Sequence, residues 1–176
     1  VMKRLRQIIV IAIVLLLGFF IQINLAQFIP SLRCVPNIML ILVFSFGFLR
    51  GTKTGMAVGI AAGLLMDFVQ GNIIGFYVLI FVYIGFINGV LKRYFTSNVI
   101  LLPIILCTVN EILYHGAMYL FQFREQAMHT ATEYLRHVVI PEYLVTLIAA
   151  IVVYGVILLI HRKLEKIEKK GETQFV

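Results

Sequence analysis

Six continuous apolar stretches, separated by polar or turn-rich breaks, decide the medium in which this chain folds. The predicted spans cover residues 8–29, 36–50, 54–70, 73–91, 99–121 and 138–160. None alternates apolar and polar residues with period two, as a strand of a transmembrane barrel would, so each is read as a helix whose backbone groups are satisfied within the segment. Water is excluded as the main solvent by composition as well. Apolar residues make up 61% and charged residues 13% of the 176 positions, and the mean hydropathy is +1.01, beyond what a soluble domain of this size can bury. The expected fold is an all-α integral membrane protein, a compact bundle of six transmembrane helices occupying residues 1–162 and followed by a charged tail, 163–176. A separate soluble domain has no room.

The net charge of +7 does not point to nucleic acid, because the basic residues cluster at the ends of apolar runs and not along one polar face. They report topology. With the N-terminus inside, Lys3, Arg4, Arg6, Arg50, Lys53, Lys92, Arg93, Arg162, Lys163, Lys166, Lys169 and Lys170 fall on the cytoplasmic side, and only Arg33, Arg124 and Arg136 lie outside. That asymmetry follows the positive-inside rule at every cytoplasmic turn and places both termini in the cytoplasm. The basic start and the apolar residues after it resemble a signal peptide, but the run continues to Ile29 without a small-residue cleavage site, so it is read as an uncleaved first span.

The apolar cores of the second and third spans, 38–49 and 55–69, are short. At about 1.5 Å rise per residue they reach only about 18–23 Å, less than the roughly 30 Å hydrocarbon layer. A re-entrant hairpin would bury Arg50 and Lys53 in lipid, whereas two short spans with local bilayer thinning avoid that cost. Between the fifth and sixth spans, Phe123, Ala127, Met128, Ala131, Tyr134, Leu135 and Val138 recur at spacings near three and four, the pattern of a short amphipathic helix on the outer surface. In the tail, lysines interleave with Glu165, Glu168 and Glu172, as in a helix emerging into water.

Glycine spacing is the most informative local pattern. Gly47, Gly51, Gly55, Gly59, Gly63, Gly71 and Gly75 fall on one four-residue series, with Asp67 at the missing step. On a helix such a series makes a ridge without side chains that lets another backbone approach closely, either within the bundle or from a second membrane protein. Asp67 and Glu111 are ionisable groups in or beside apolar runs, which marks them for attention. Asp67, near the end of its span, suits a capping or turn-fixing role. Glu111, near the middle of the fifth span, shares a helix side with Cys107, Asn110, His115 and Tyr119. A Glu111–His115 clamp supported by Asn24, Asn88 or Tyr83 would reduce the cost of burying it, and a proton or ligand site is the alternative. Cys34 and Cys107 have no metal-binding spacing, Glu111 and His115 lack the second histidine of a zinc-protease helix, and no nucleophile elbow or phosphate loop is present. Neither a catalytic constellation nor a cofactor or metal motif is expected.

The block Gly59-Ile-Ala-Ala-Gly63-Leu-Leu-Met-Asp67-Phe-Val-Gln-Gly71-Asn-Ile-Ile-Gly75-Phe resembles the central signature of the rod-shape-determining protein MreD family. Pro36-Asn37 at the second span, the basic start and Ile140-Pro141-Glu-Tyr-Leu before the last span belong to the same resemblance. Where members often carry an asparagine after the late proline and tyrosine, this chain has Val145 and Thr146. The resemblance implies a non-catalytic scaffold in the bacterial inner membrane, part of the cell-elongation (rod) complex. Its implied partners are the single-span protein MreC, RodA, a class B penicillin-binding protein and MreB filaments, besides membrane lipid. Pro36, Asn37, Gly55, Gly59, Gly63, Asp67, Gly71 and Gly75 are then helix-packing or partner-interface candidates, and Glu111 with His115 an intramembrane polar clamp. The family's likeness to the substrate-binding subunits of vitamin transporters implies the alternative, an outward-open pocket lined by Asp67, Asn72, Glu111 and His115.

Overall fold

The computed structural model describes residues 2–28, 35–70, 74–94, 102–122 and 134–172, with side chains placed at 5–25, 35–69, 74–94, 102–120 and 134–163. Among these residues there are six α-helices and no strand: α1 (Met2–Phe28), α2 (Ile38–Arg50), α3 (Thr52–Gln70), α4 (Phe76–Leu91), α5 (Leu102–Gln122) and α6 (Ile140–Glu172), the last entered through a π-helical turn at Leu135–Val139. Gly71, Asn72, Arg33, Cys34, Arg124 and most of the expected amphipathic connection lie outside the described residues. Runs within α1, α3 and α6 are long and apolar enough to cross a membrane, and α2 and α4 are apolar but shorter. α3 has 19 residues, which at about 1.5 Å each is about 28 Å, so the third span is not short.

α2 is the axis of the bundle. Every residue from Ile38 to Leu49 is buried, and α1, α3, α4, α5 and α6 all pack against it. The short second span is thus a core helix wrapped by protein. A helix that is apolar on all sides suits lipid or a protein core equally, and only its neighbours distinguish the two.

Burial on all sides makes the ends of α2 demanding, because the first amides and last carbonyls of a helix have no partner within it. The first amides and the Leu49 carbonyl find theirs outside the helix. The Asn37 side chain accepts from the Leu40 amide at 3.1 Å, the Pro36 carbonyl accepts from the Ile38 amide at 2.9 Å, and Gln22 of α1 accepts from the Met39 amide at 2.9 Å. The Asn37 amide in turn donates to Thr146 Oγ1 of α6 at 3.1 Å. At the other end, Lys92 Nζ, just beyond α4, donates to the Leu49 carbonyl at 2.6 Å, a cation where the helix dipole is negative. Pro36-Asn37 is thus the cap of a buried helix, completed by side chains from two other helices.

α3 and α4 form the most extensive helix pair, and the glycine ridge lies in it. A methyl group added at Gly59 would sit 2.5 Å from the Phe81 carbonyl oxygen; at Gly63 it would meet the Val78 backbone, and at Gly55 the Gly85 carbonyl and the Gly47 Cα. Gly85 and Gly89 return the contact, facing the backbones of Gly55 and Thr52. Such approach multiplies dispersion contacts where no hydrophobic effect drives helices together. In contrast, nothing lies within 4 Å of a methyl group added at Gly116 or Gly155.

Replacing Gly59 or Gly63 with alanine is expected to destabilise the bundle by about 1–3 kcal/mol, as overpacking does, and leucine to abolish it. Gly155→Ala serves as the control. Thermal unfolding of the detergent-purified variants, followed by monodispersity, is the measurement; unchanged midpoints at Gly59 and Gly63 would contradict this packing.

Candidate functional site

Besides the α2 cap, three polar stations among the described residues lie between helices, and they differ in how completely their groups are satisfied. The first closes the α3–α4 turn. Asp67, 5% exposed, accepts from the amides of Gly75 (2.9 Å), Tyr77 (3.0 Å) and Val78 (3.4 Å). α4 begins at Phe76, and the residue before it, Gly75, has φ 94° and no side chain to cap with. Only glycine adopts that backbone readily. A carboxylate from the neighbouring helix therefore takes over the N-cap, where negative charge complements the dipole. The aspartate and the following glycine of the signature act together as a capped turn.

The second station joins α4 to α5. Asn88 Nδ2 donates to Asn110 Oδ1 at 2.7 Å and Asn110 Nδ2 donates to Asn88 Oδ1 at 3.1 Å, while each amide also donates to its own helix, at the Ile84 and Leu106 carbonyls. Asn88 is thus taken by Asn110 and does not support Glu111. Of the other expected supporters, Asn24 donates to the Phe20 carbonyl on an exposed face, and Tyr83 is exposed. Their place is filled from α6.

The third station is Glu111, His115 and Glu142. His115 Nε2 lies 3.1 Å from Glu111 Oε2 and 3.8 Å from Glu142 Oε2. Glu111 and His115 are one helical turn apart on α5, 1% and 5% exposed; Glu142, in the first turn of α6, is partly exposed. His115 Nδ1 is 3.4 Å from the Tyr134 hydroxyl, which burial, followed by the charge of Glu142, pushes up to about 12, so it stays protonated. Tyr119 and Tyr134 flank the group with ring centroids 5.7 Å apart. Tyr114 stacks on Phe81 beneath it at 6.1 Å, and Thr108 and Tyr143 share a 2.9 Å hydrogen bond that ties α5 to α6. Glu142 escaped sequence reasoning although it directly follows Pro141, since an acid at the start of a span reads as a helix-terminal group.

At the opposite end of the bundle a groove of about 350 Å³ separates α1 from α3, lined by apolar residues including Ile8, Ile11 and Val58 together with Arg50 and Lys53. Lys92 reaches the same end through Leu49, so basic residues from three helices gather there.

Residues 2–164 match the family described as rod shape-determining protein MreD. The chain belongs to the MreD family. No significant match was found among curated proteins or among solved structures. Membership makes the chain a membrane protein of the machinery that determines rod shape. In this MreD family member, the candidates Asn37, Gly55, Gly59, Gly63, Asp67 and Gly75 all lie on contacts between helices or at helix caps. Glu111 and His115 lie apart from them in sequence, on α5.

Asp67→Ala leaves three amides at the start of α4 without an acceptor and is expected to lower stability by about 1–3 kcal/mol. Asp67→Asn keeps one acceptor oxygen and should fall between alanine and the parent in thermal unfolding. Equal midpoints for all three proteins would rule out the cap.

Proposed function

We propose that this MreD family member is a non-catalytic scaffold of the rod complex in the bacterial inner membrane. It binds the single-span protein MreC and helps couple MreB filaments to peptidoglycan synthesis by RodA and a class B penicillin-binding protein. The basic end of the bundle, with Arg50, Lys53, Lys92 and Arg93, faces the cytoplasm in this reading.

The outer face of α5 is the observation that carries it. Ile105, Val109, Ile112, Leu113 and Leu120 are exposed large apolar residues that flank Gly116, where the surface is open. An apolar stripe with a glycine at its centre suits the close approach of one further transmembrane helix. The glycines of α3 face α4, which supports a packing role for them and Gly116 as the docking position. For the vitamin-transporter alternative, Asp67 would have to line a pocket, and its carboxylate is occupied by the amides of α4.

Gly116→Leu is expected to reduce recovery of the complex with MreC several-fold while leaving thermal stability unchanged, and Gly155→Leu on α6 to leave both unchanged. Co-purification from membranes followed by native mass spectrometry provides the measurement. Parental recovery with Gly116→Leu would exclude this face, and a stoichiometric small metabolite on the purified chain would favour the transporter.

A further inference from the structure

The cluster of Glu111, His115 and Glu142 differs from the other two polar stations because buried atoms of Glu111 and His115 are left over. Both Glu111 oxygens and His115 Nε2 are buried without a hydrogen-bond partner, whereas Asp67 and the Asn88–Asn110 pair are saturated. A buried carboxylate with no donor is expensive in any interior and more so in a membrane. Two carboxylates and a histidine sharing a proton would be joined by aligned hydrogen bonds. Glu111 Oε2 and Nε2 are close, at 3.1 Å, but they are not aligned for one. With Glu142 they form one group of atoms able to ligate a metal.

From this geometry we infer a divalent metal site of the Zn2+ class, held by His115 Nε2 and one carboxylate oxygen each from Glu111 and Glu142. The ligand atoms all lie within 4.8 Å of one another. For an ion bound at about 2.1 Å by nitrogen and oxygen, ligand pairs are separated by roughly 3.0 Å at a right angle and 3.4 Å at a tetrahedral one. The observed 3.1 Å between Glu111 and His115 falls inside that range and the 3.8 Å between Glu142 and His115 just beyond it, so an inward movement of the Glu142 side chain completes the site. Charge balance favours the same occupant: two carboxylates and a neutral imidazole are neutralised by one divalent cation, leaving no net charge in a low-dielectric interior. His115 Nδ1 faces the Tyr134 hydroxyl, an outer partner of the kind that fixes the tautomer and leaves Nε2 free to ligate. The Glu142 side chain, 22% exposed, gives the ion a way in. With three protein ligands, the site has a fourth position for water, and it joins α5 to α6 through a bond between helices that are otherwise linked there by Thr108 and Tyr143.

The inference stands independently of the scaffold reading. Full-length protein in detergent, stripped with chelator and titrated with Zn2+, is expected to take up one equivalent by elemental analysis and to gain thermal stability. Co2+ in place of Zn2+ should give visible absorption bands of a nitrogen and oxygen ligand set. Glu142→Gln, at the partly exposed ligand, should remain folded and lose both uptake and the Co2+ bands, as should Glu111→Gln. Parental protein that takes up no Zn2+ would overturn the site, as would a folded Glu142→Gln protein that binds Zn2+ or Co2+ as the parent does.

Discussion

Enclosing one helix entirely within five others sets the terms for the rest of this structure. α2 meets no solvent from Ile38 to Leu49, so neither water nor lipid headgroups can serve its terminal amides and carbonyls. The bundle supplies them from outside the helix. Asn37 caps from one residue before it, Gln22 and Thr146 bring in α1 and α6, and Lys92 closes the far end from beyond α4. Three helices are thereby placed in register by the needs of a fourth. Polar groups fix which neighbour stands where, and apolar contact fills the space between.

Close packing around that axis depends on the small residues of α3 and α4. Gly55, Gly59 and Gly63 let α4 approach to backbone contact, and Gly85 and Gly89 complete the surface from the other side. In a membrane the lipid tails are as apolar as the side chains, so the gain comes from dispersion and hydrogen bonds at short range. Asp67 then locks the far end of the pair by capping α4. The family signature reads physically as one device, a helix pair in backbone contact closed by a carboxylate cap.

Function shifts accordingly to what the packing leaves over. On the outside, α5 presents an apolar stripe around Gly116, a surface fitted to another membrane helix. On the inside, Glu111 and His115 hold unsatisfied atoms, with Glu142 of α6 beside them. α5 thus carries both an outward face for assembly and an inward face with ligand chemistry, and a metal ion joining it to α6 would stiffen the helix on which the proposed partner docks.

The all-helical class with six helices and the glycine series were legible in the sequence because they rest on local properties: apolar run length, helical spacing and the absence of side chains. The capping role of Asp67 was legible as well, since its position at a span end beside Gln70, Gly71 and Asn72 suggests a turn. Tertiary structure alone decided that α2 lies in the core and not in lipid, because a uniformly apolar helix carries no marker of which surface it meets. It likewise decided that the glycine ridge faces α4, that Asn88 pairs with Asn110, and that Glu142 joins Glu111 and His115. Those pairings arise between residues on different helices, and their partners are set by how the helices rotate about their axes, which run length and spacing do not encode.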